Sequence, residues 1–247
     1  VTLPHTWNRE DGYSDKLYLR GVFTYKKEFQ YSLSQGRRLF IEFEGVNSSS
    51  RVSINGVELG GHDGGYSTFR FDITPYIKEH NVMEVVVDNT PNDRVYPQKA
   101  DFTFYGGIYR SVYLVETDEV HFPLLSYGGP GVKVTTKVQG QRGILSFSSS
   151  VEGDGDLCGV NINDTGYSFP VINGEVEGEV EIDNVHLWNG LEDPYLYPVS
   201  FSLEKNGEER DEIELKVGFR TIEIDSGKGF FLNGRSYPLR GVSRHQD

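Results

Sequence analysis

In RRLFIEFEGV, Leu39, Ile41 and Phe43 fall on one face of an extended chain, while Glu42 and Glu44 fall on the other beside Phe40. Successive side chains alternate across a strand, so a period of two describes a sheet with one face buried. EVEGEVEID repeats the pattern, setting Glu175, Glu177, Glu179 and Glu181 against Val176, Val180 and Ile182. NVMEVVVDN and SVYLVE read as buried strands. No amphipathic run is long enough for a major helix. One short helical turn is predicted in DITPYIKEHN, with Thr74 as its cap and Pro75 at the first helical position. The fold class this predicts is all-β.

Turn chemistry agrees. SINGVEL, EKNGEER and FLNGRSY each set Asn-Gly between strand-forming flanks. Asn and Gly tolerate the positive φ that a type I′ turn demands, so each reads as a hairpin. The 15 Tyr and 15 Phe suit sheets better than helices. At 247 residues there is room for two ordinary domains by the usual allowance of roughly 100–200 residues each. The boundary falls in VETDEVHF, and the second block opens on the loop SYGGPG. Strand signals there recur at the spacing of a small antiparallel sandwich.

Charge narrows the partners. With 37 acidic against 24 basic residues the formal net charge is −13. Nucleic-acid binding needs a basic face, and adsorption to anionic membranes needs positive charge, so neither partner is expected. No apolar run approaches the ~20 residues of a membrane helix. The single cysteine, Cys158, excludes an intrachain disulfide and reads as a buried small hydrophobe.

The most distinctive stretch is KADFTFYGGIYRSVYL, Lys99 to Leu114. Gly106-Gly107 ahead of an alternating run describes a tight backbone entering a strand. Asp101 sits among Phe102, Phe104 and Tyr105. A carboxylate beside aromatic rings is a way to hold a sugar, and equally a way for an Asp to tie down its own turn. Other chemistry is poorly represented. The six histidines lack metal-ligand spacing, and the Gly-Gly pairs lack a phosphate-loop pattern. Asp154 and Asp156 in VEGDGDL read as a turn rather than a calcium loop. Glu175 to Glu181 are the exposed acids of an alternating strand, with nothing beside them to set two carboxyl pKa values apart.

Taken together, several segments resemble one family in the same order: LPHTWN, YLRGVFTYKKEF, IEFEGVNSSSRVSINGVELGGHDGGYSTFRFDIT, the Gly106-Gly107 stretch, LWNGLEDPYLYPVSFSL, VGFRTIEI and FFLNGRSYPLRGVSRHQD. They resemble glycoside hydrolase family 2, the family of β-galactosidases, β-glucuronidases and β-mannosidases. The resemblance implies a jelly-roll β-sandwich sugar-binding domain (1–117), an immunoglobulin-like β-sandwich (118–218), and a hairpin with the first strand of a (β/α)₈ barrel (219–247). YPLRGV would be that strand, and barrel enzymes carry their active residues at the C-terminal ends of strands.

What the resemblance implies for function follows from that architecture. The chain would be the non-catalytic N-terminal part of a retaining exo-β-glycosidase, with a β-galactosidase leading and a β-glucuronidase or β-mannosidase as alternatives. A free-standing carbohydrate-binding module is the competing reading. Asp101 would help hold the sugar's outer hydroxyl, directly or through a cation. His245 would line the pocket. Gln246 and Asp247 depart from the commonest continuation and receive no role. Both catalytic glutamates would lie beyond Asp247, so no catalytic residue and no metal ligand is expected in this chain. It would need no cofactor, although the full enzyme could use a monovalent or divalent cation. Expected partners are a carbohydrate such as a terminal β-galactoside, the chain's own catalytic barrel and a further copy in a homo-oligomer. An extracytoplasmic location, periplasmic or secreted, is favoured over the cytoplasm, any signal lying upstream of Val1.

Overall fold

The computed structural model describes residues 1–11, 18–96 and 104–243. The chain divides into two compact units, one of residues 1–117, 124–129 and 243–247, the other of 118–123 and 130–242.

The first unit carries β1 (Val22–Gln30), β2 (Arg37–Phe43), β3 (Ser49–Ile54), β4 (Val57–Asp63), β5 (Phe69–Asp72), β6 (His80–Asp88) and β7 (Val112–Asp118). One sheet runs β1-β6-β3-β4 and the other β5-β2-β7, which makes a jelly-roll sandwich. Alternation supplies its core: Leu39, Ile41 and Phe43 of β2 meet Val52 and Ile54 of β3 and Met83, Val85 and Val87 of β6. Such burial of branched and aromatic side chains drives the two faces together.

Two expectations are revised here. SVYLVE is not a buried strand. It lies in β7, which among the described residues is the edge strand of its sheet, and Tyr113 and Leu114 are exposed there. Thr74 is not a helix cap. It lies inside a single 3₁₀ turn, Thr74–Tyr76, whose N-cap is Ile73. Its hydroxyl accepts the Leu39 N–H at 2.8 Å, and Asp72 Oδ1 accepts the Thr74 N–H at 2.9 Å. The hydroxyl is therefore committed to β2, the neighbouring strand of the same sheet, rather than to its own turn.

The second unit carries β8 (Lys133–Gln139), β9 (Arg142–Ser150), β10 (Leu157–Ile162), β11 (Thr165–Pro170), β12 (Glu175–Ile182), β13 (Tyr197–Lys205) and β14 (Glu208–Val217). Sheets β11-β10-β13-β14 and β12-β9-β8 form the immunoglobulin-like sandwich. Leu145 and Phe147 face Val160, Val199, Phe201 and Leu203 across it, with Cys158 buried among them. Burial pushes the Cys158 thiol up to about 12.

A three-stranded meander follows, of β15 (Ile222–Asp225), β16 (Gly229–Leu232) and β17 (Arg235–Ser236). All three Asn-Gly turns form as read, with both central residues at positive φ: Asn55-Gly56, Asn206-Gly207 and Asn233-Gly234. Asn163-Asp164 makes another such turn, between β10 and β11, without a glycine. Past Tyr237, YPLRGV joins no ladder among the described residues. A barrel strand exists by pairing with neighbours on both sides, and the described residues supply none.

Candidate sugar-binding site

Asp101 and His245 both lie outside the described residues. What the structure does show is how the backbone following Asp101 is held.

Gly106 and Gly107 are gripped from three directions. Asn8 Oδ1 accepts the Gly106 N–H at 2.7 Å. The Gly106 carbonyl accepts the Thr6 hydroxyl at 2.8 Å and the Trp7 N–H at 3.3 Å. Asn47 exchanges two backbone hydrogen bonds with Gly107, at 3.0 and 3.1 Å, and its Nδ2 donates to the Tyr105 carbonyl at 3.0 Å. Only glycine fits. A Cβ on Gly106 would lie 2.3 Å from Trp7 Cζ2. Gly107 has φ +128 and would place a Cβ 2.6 Å from the His5 carbonyl. The glycine pair read from the sequence is thus a demand of close backbone approach.

The segment before 97–103 is fixed by side chains acting on their own backbone. Asp88 Oδ1 accepts the Thr90 N–H and hydroxyl at 2.7 and 2.6 Å. Asn92 Oδ1 accepts the Arg94 and Val95 N–H groups at 3.0 and 3.1 Å. These are Asx turns, in which a short polar side chain substitutes for a backbone acceptor.

Beside the glycine turn lies a shallow depression lined by Arg20, Tyr66, Thr90, Tyr96 and Phe104, with the buried Asn47 and Asn89. The Arg20 guanidinium stands 5.4 Å from the Tyr18 ring centroid and 5.8 Å from that of Phe104. Such placement stabilises a cation against ring faces. Burial pushes the Tyr18 phenol well above its usual range, so it remains a neutral hydroxyl. Tyr66 and Tyr96 are exposed. The depression itself has a volume of about 20 Å³, room for about one water, so it is the exposed rings at its rim that are placed to meet the apolar C–H face of a pyranose. Local reading of the sequence missed Asn47 and Asn89 and the role of Asn8. Their partners lie tens of residues away, so no short pattern marks them.

Four of the acidic residues singled out by the sequence have structural partners. Asp154 pairs with Lys205, and Asp156 accepts the Asn206 N–H at 2.7 Å, so this stretch closes a turn. On β12, Glu179 accepts the Ser146 hydroxyl at 2.7 Å and Glu181 pairs with Arg142 at 2.9 Å. Among the described residues, no group of three His, Cys, Asp or Glu side chains is placed to hold a metal ion. No helix among them is long and apolar enough to cross a membrane.

The family model described as "Glycosyl hydrolases family 2, sugar binding domain" matches residues 4–118, and a second, "Glycosyl hydrolases family 2", matches residues 130–220. The chain belongs to glycosyl hydrolase family 2. It is 38% identical to a β-glucuronidase of Bacteroides fragilis, over all of this chain and 38% of that protein. It is 32% identical to a β-galactosidase of Thermoanaerobacter pseudethanolicus, over 99% of this chain and 34% of that one. A crystal structure of an FMN-binding β-glucuronidase from Facaelibacterium prausnitzii L2-6 superposes with a TM-score of 0.91 at 35% identity, covering all of this chain and 40% of that one. The chain therefore spans well under half the length of the relatives it matches. In the family frame the glycine turn, its asparagines and the aromatic depression all lie within the residues matched by the sugar-binding-domain model.

Proposed function

We propose that this chain is the non-catalytic N-terminal part of a retaining exo-β-glycosidase that removes terminal β-linked sugars from glycans. The reading is carried by the match of both family models along the chain, in order. A β-glucuronidase and a β-galactosidase both align over nearly its whole length, so the substrate class is a terminal β-galactoside or β-glucuronide. Residues 1–117 serve as the sugar-binding domain, 118–218 as the immunoglobulin-like brace, and 219–247 lead into a catalytic barrel. Asp101 reaches the pocket mouth from the segment that the glycine turn anchors, and His245 lines the pocket.

Retaining hydrolysis needs an acid/base and a nucleophile whose carboxyl groups stand about 5–5.5 Å apart. Of the acids singled out by the sequence, Asp156 closes a turn and Glu179 and Glu181 make cross-strand contacts. The chain's part is to shape the pocket mouth and brace the barrel. Toward its C-terminal end Ile222, Ile224, Leu239 and Val242 are exposed apolar side chains, available to pack against a barrel. The carbohydrate and the barrel are the partners this reading requires, in an extracytoplasmic setting.

The test is to assay the full-length gene product and the 247-residue chain side by side on p-nitrophenyl β-D-galactoside and p-nitrophenyl β-D-glucuronide. Turnover by the full-length protein alone is expected. Turnover by the 247-residue chain itself would overturn the division of labour, and inactivity of both would overturn the glycosidase reading.

A further inference from the structure

Asn8 and Asn89 are buried amides directly linked to each other. They are 0% and 3% exposed. Each side-chain amide has two donors and a two-lone-pair acceptor, and burial makes every unused one costly. Asn8 uses all of its capacity. Its Nδ2 donates to Asp11 Oδ2 at 2.7 Å and to the Leu19 carbonyl at 2.8 Å. Its Oδ1 accepts the Gly106 N–H at 2.7 Å and Asn89 Nδ2 at 3.4 Å. Asn89 Nδ2 also donates to the Leu19 carbonyl, at 3.2 Å, and Asn89 Oδ1 accepts the Gly21 N–H at 2.8 Å. Asp11 Oδ2 in turn accepts the Leu19 N–H at 2.9 Å.

Three stretches distant in sequence thus meet at two side chains: 8–11, 19–21 and the turn at Gly106. A knot satisfied on all sides has one low-energy arrangement, and a partly satisfied one is costly, so it fixes these backbones relative to one another. The lip formed by Arg20, Tyr66 and Phe104 borders it directly, since Arg20 precedes Gly21 and Phe104 lies two residues before Gly106.

We propose that Asn8 and Asn89 are positioning residues of the sugar subsite: their linked amides lock the Gly106 turn to the backbone at 19–21 and so set the Arg20 and Phe104 side chains at its lip. This rests on the glycosidase reading above. Neither side chain needs to touch the sugar.

A buried amide could instead serve stability alone, and Asn81 supplies the control. It lies in the same sandwich, is 2% exposed, and is equally engaged: its Oδ1 accepts the Lys78 N–H at 2.8 Å and Asn55 Nδ2 at 2.9 Å, and its Nδ2 donates to the Lys78 carbonyl at 2.6 Å. It ties the turn at the far end of β3 and contacts none of the residues lining the depression.

The experiment compares Asn8→Ala, Asn89→Ala and Asn81→Ala in the full-length protein. KM and kcat are read for p-nitrophenyl β-D-galactoside and p-nitrophenyl β-D-glucuronide at a temperature where all three are folded. Loss of one buried hydrogen-bonded anchor is expected to lower kcat/KM about tenfold in the first two, mainly through KM, while Asn81→Ala stays within about twofold of the parent. Equal losses in all three, or none in Asn8→Ala and Asn89→Ala, would overturn the proposal. Amide hydrogen exchange on the 247-residue chain reads the tie without any substrate. Gly106 should lose protection in Asn8→Ala and Gly21 in Asn89→Ala, with neither changed in Asn81→Ala. Unprotected Gly106 and Gly21 amides in the parent chain would sink the knot even if the enzyme is active. An inactive full-length parent with the exchange pattern intact would sink only the glycosidase reading. Asn89→Asp keeps the side-chain volume and the acceptor for Gly21 but removes both donors. It replaces Asn89→Ala if that variant fails to fold, with the same expected rise in KM.

Discussion

The two sandwiches bury different things. Among the described residues, the buried polar side chains of the first are four asparagines and Ser50, whereas the second buries only His121 and Ser149. The second fills its interior with an apolar set centred on Phe147, Phe201 and Phe219. The difference is one of task. A sheet face satisfies its own backbone through the ladder and needs only apolar cover. A loop folded back against a sandwich leaves N–H and C=O groups that something must meet, and asparagine meets both kinds at once. The first sandwich is built to hold loops in place, and the second to be rigid.

Removing the second sandwich's apolar centre should have the largest effect. Phe201→Ala deletes a fully buried ring packed 5.3 Å from Phe147, and should cost about 3–5 kcal/mol in urea unfolding of that unit. A cost below about 1 kcal/mol would mean that its core is looser than the first one's. Next comes the tightest point of the first sandwich. Gly106→Ala must push Trp7 and Asn89 aside, since its Cβ would sit 2.3 and 2.5 Å from them, and should cost about 2–3 kcal/mol, read from the same unfolding curves.

Acid should weaken the first sandwich through Asp72. Burial works to raise its carboxyl, but the Thr74 hydroxyl and N–H and the Arg38 guanidinium outweigh it and hold the carboxyl below its usual range. A depressed folded pKa gives stability that is present above the unfolded value of about 3.9 and is lost as pH falls through the folded one. Unfolding midpoints of the parent and Asp72→Asn should therefore differ at pH 7 and converge toward pH 3. A gap that persists unchanged at pH 3 would assign the effect to packing.

Cys158 distinguishes the units without mutation. Buried at 0% exposure and with its thiol pushed up to about 12, it should resist DTNB at pH 8 until the second sandwich unfolds. Labelling that instead tracks unfolding of the first sandwich would show the two to be one cooperative unit. The smallest effect is expected at Gly166→Ala on β11, where an added Cβ meets nothing within 4 Å; a change within about 0.5 kcal/mol is expected.

Much of this fold was legible in the residues. Alternation in β2 and β12 and the Asn-Gly turns are local codes, because side-chain direction and positive φ are properties of a few adjacent residues. Where the sequence misled, a neighbour decided the outcome. Val112 to Asp118 has the apolar content of a central strand yet lies at an edge, and the Thr74 hydroxyl turned to Leu39 on the neighbouring strand of its sheet. Gly106-Gly107 stood out by composition, but the reason for it did not: the Trp7 ring and the amides of Asn8, Asn47 and Asn89 arrive from 17 to 99 positions away.

By itself, then, the sequence determined the all-β class, the hairpins, the acidic surface and, through motifs in a shared order, the family. Those rest on short-range geometry and on summed charge, which need no fold to be evaluated. Only the tertiary structure decided which strands lie at edges, which polar groups are buried, and that two asparagines close a knot behind the candidate site. A buried amide earns its place from partners brought together by the fold, and before folding Asn8 and Asn89 are merely two polar residues 81 positions apart.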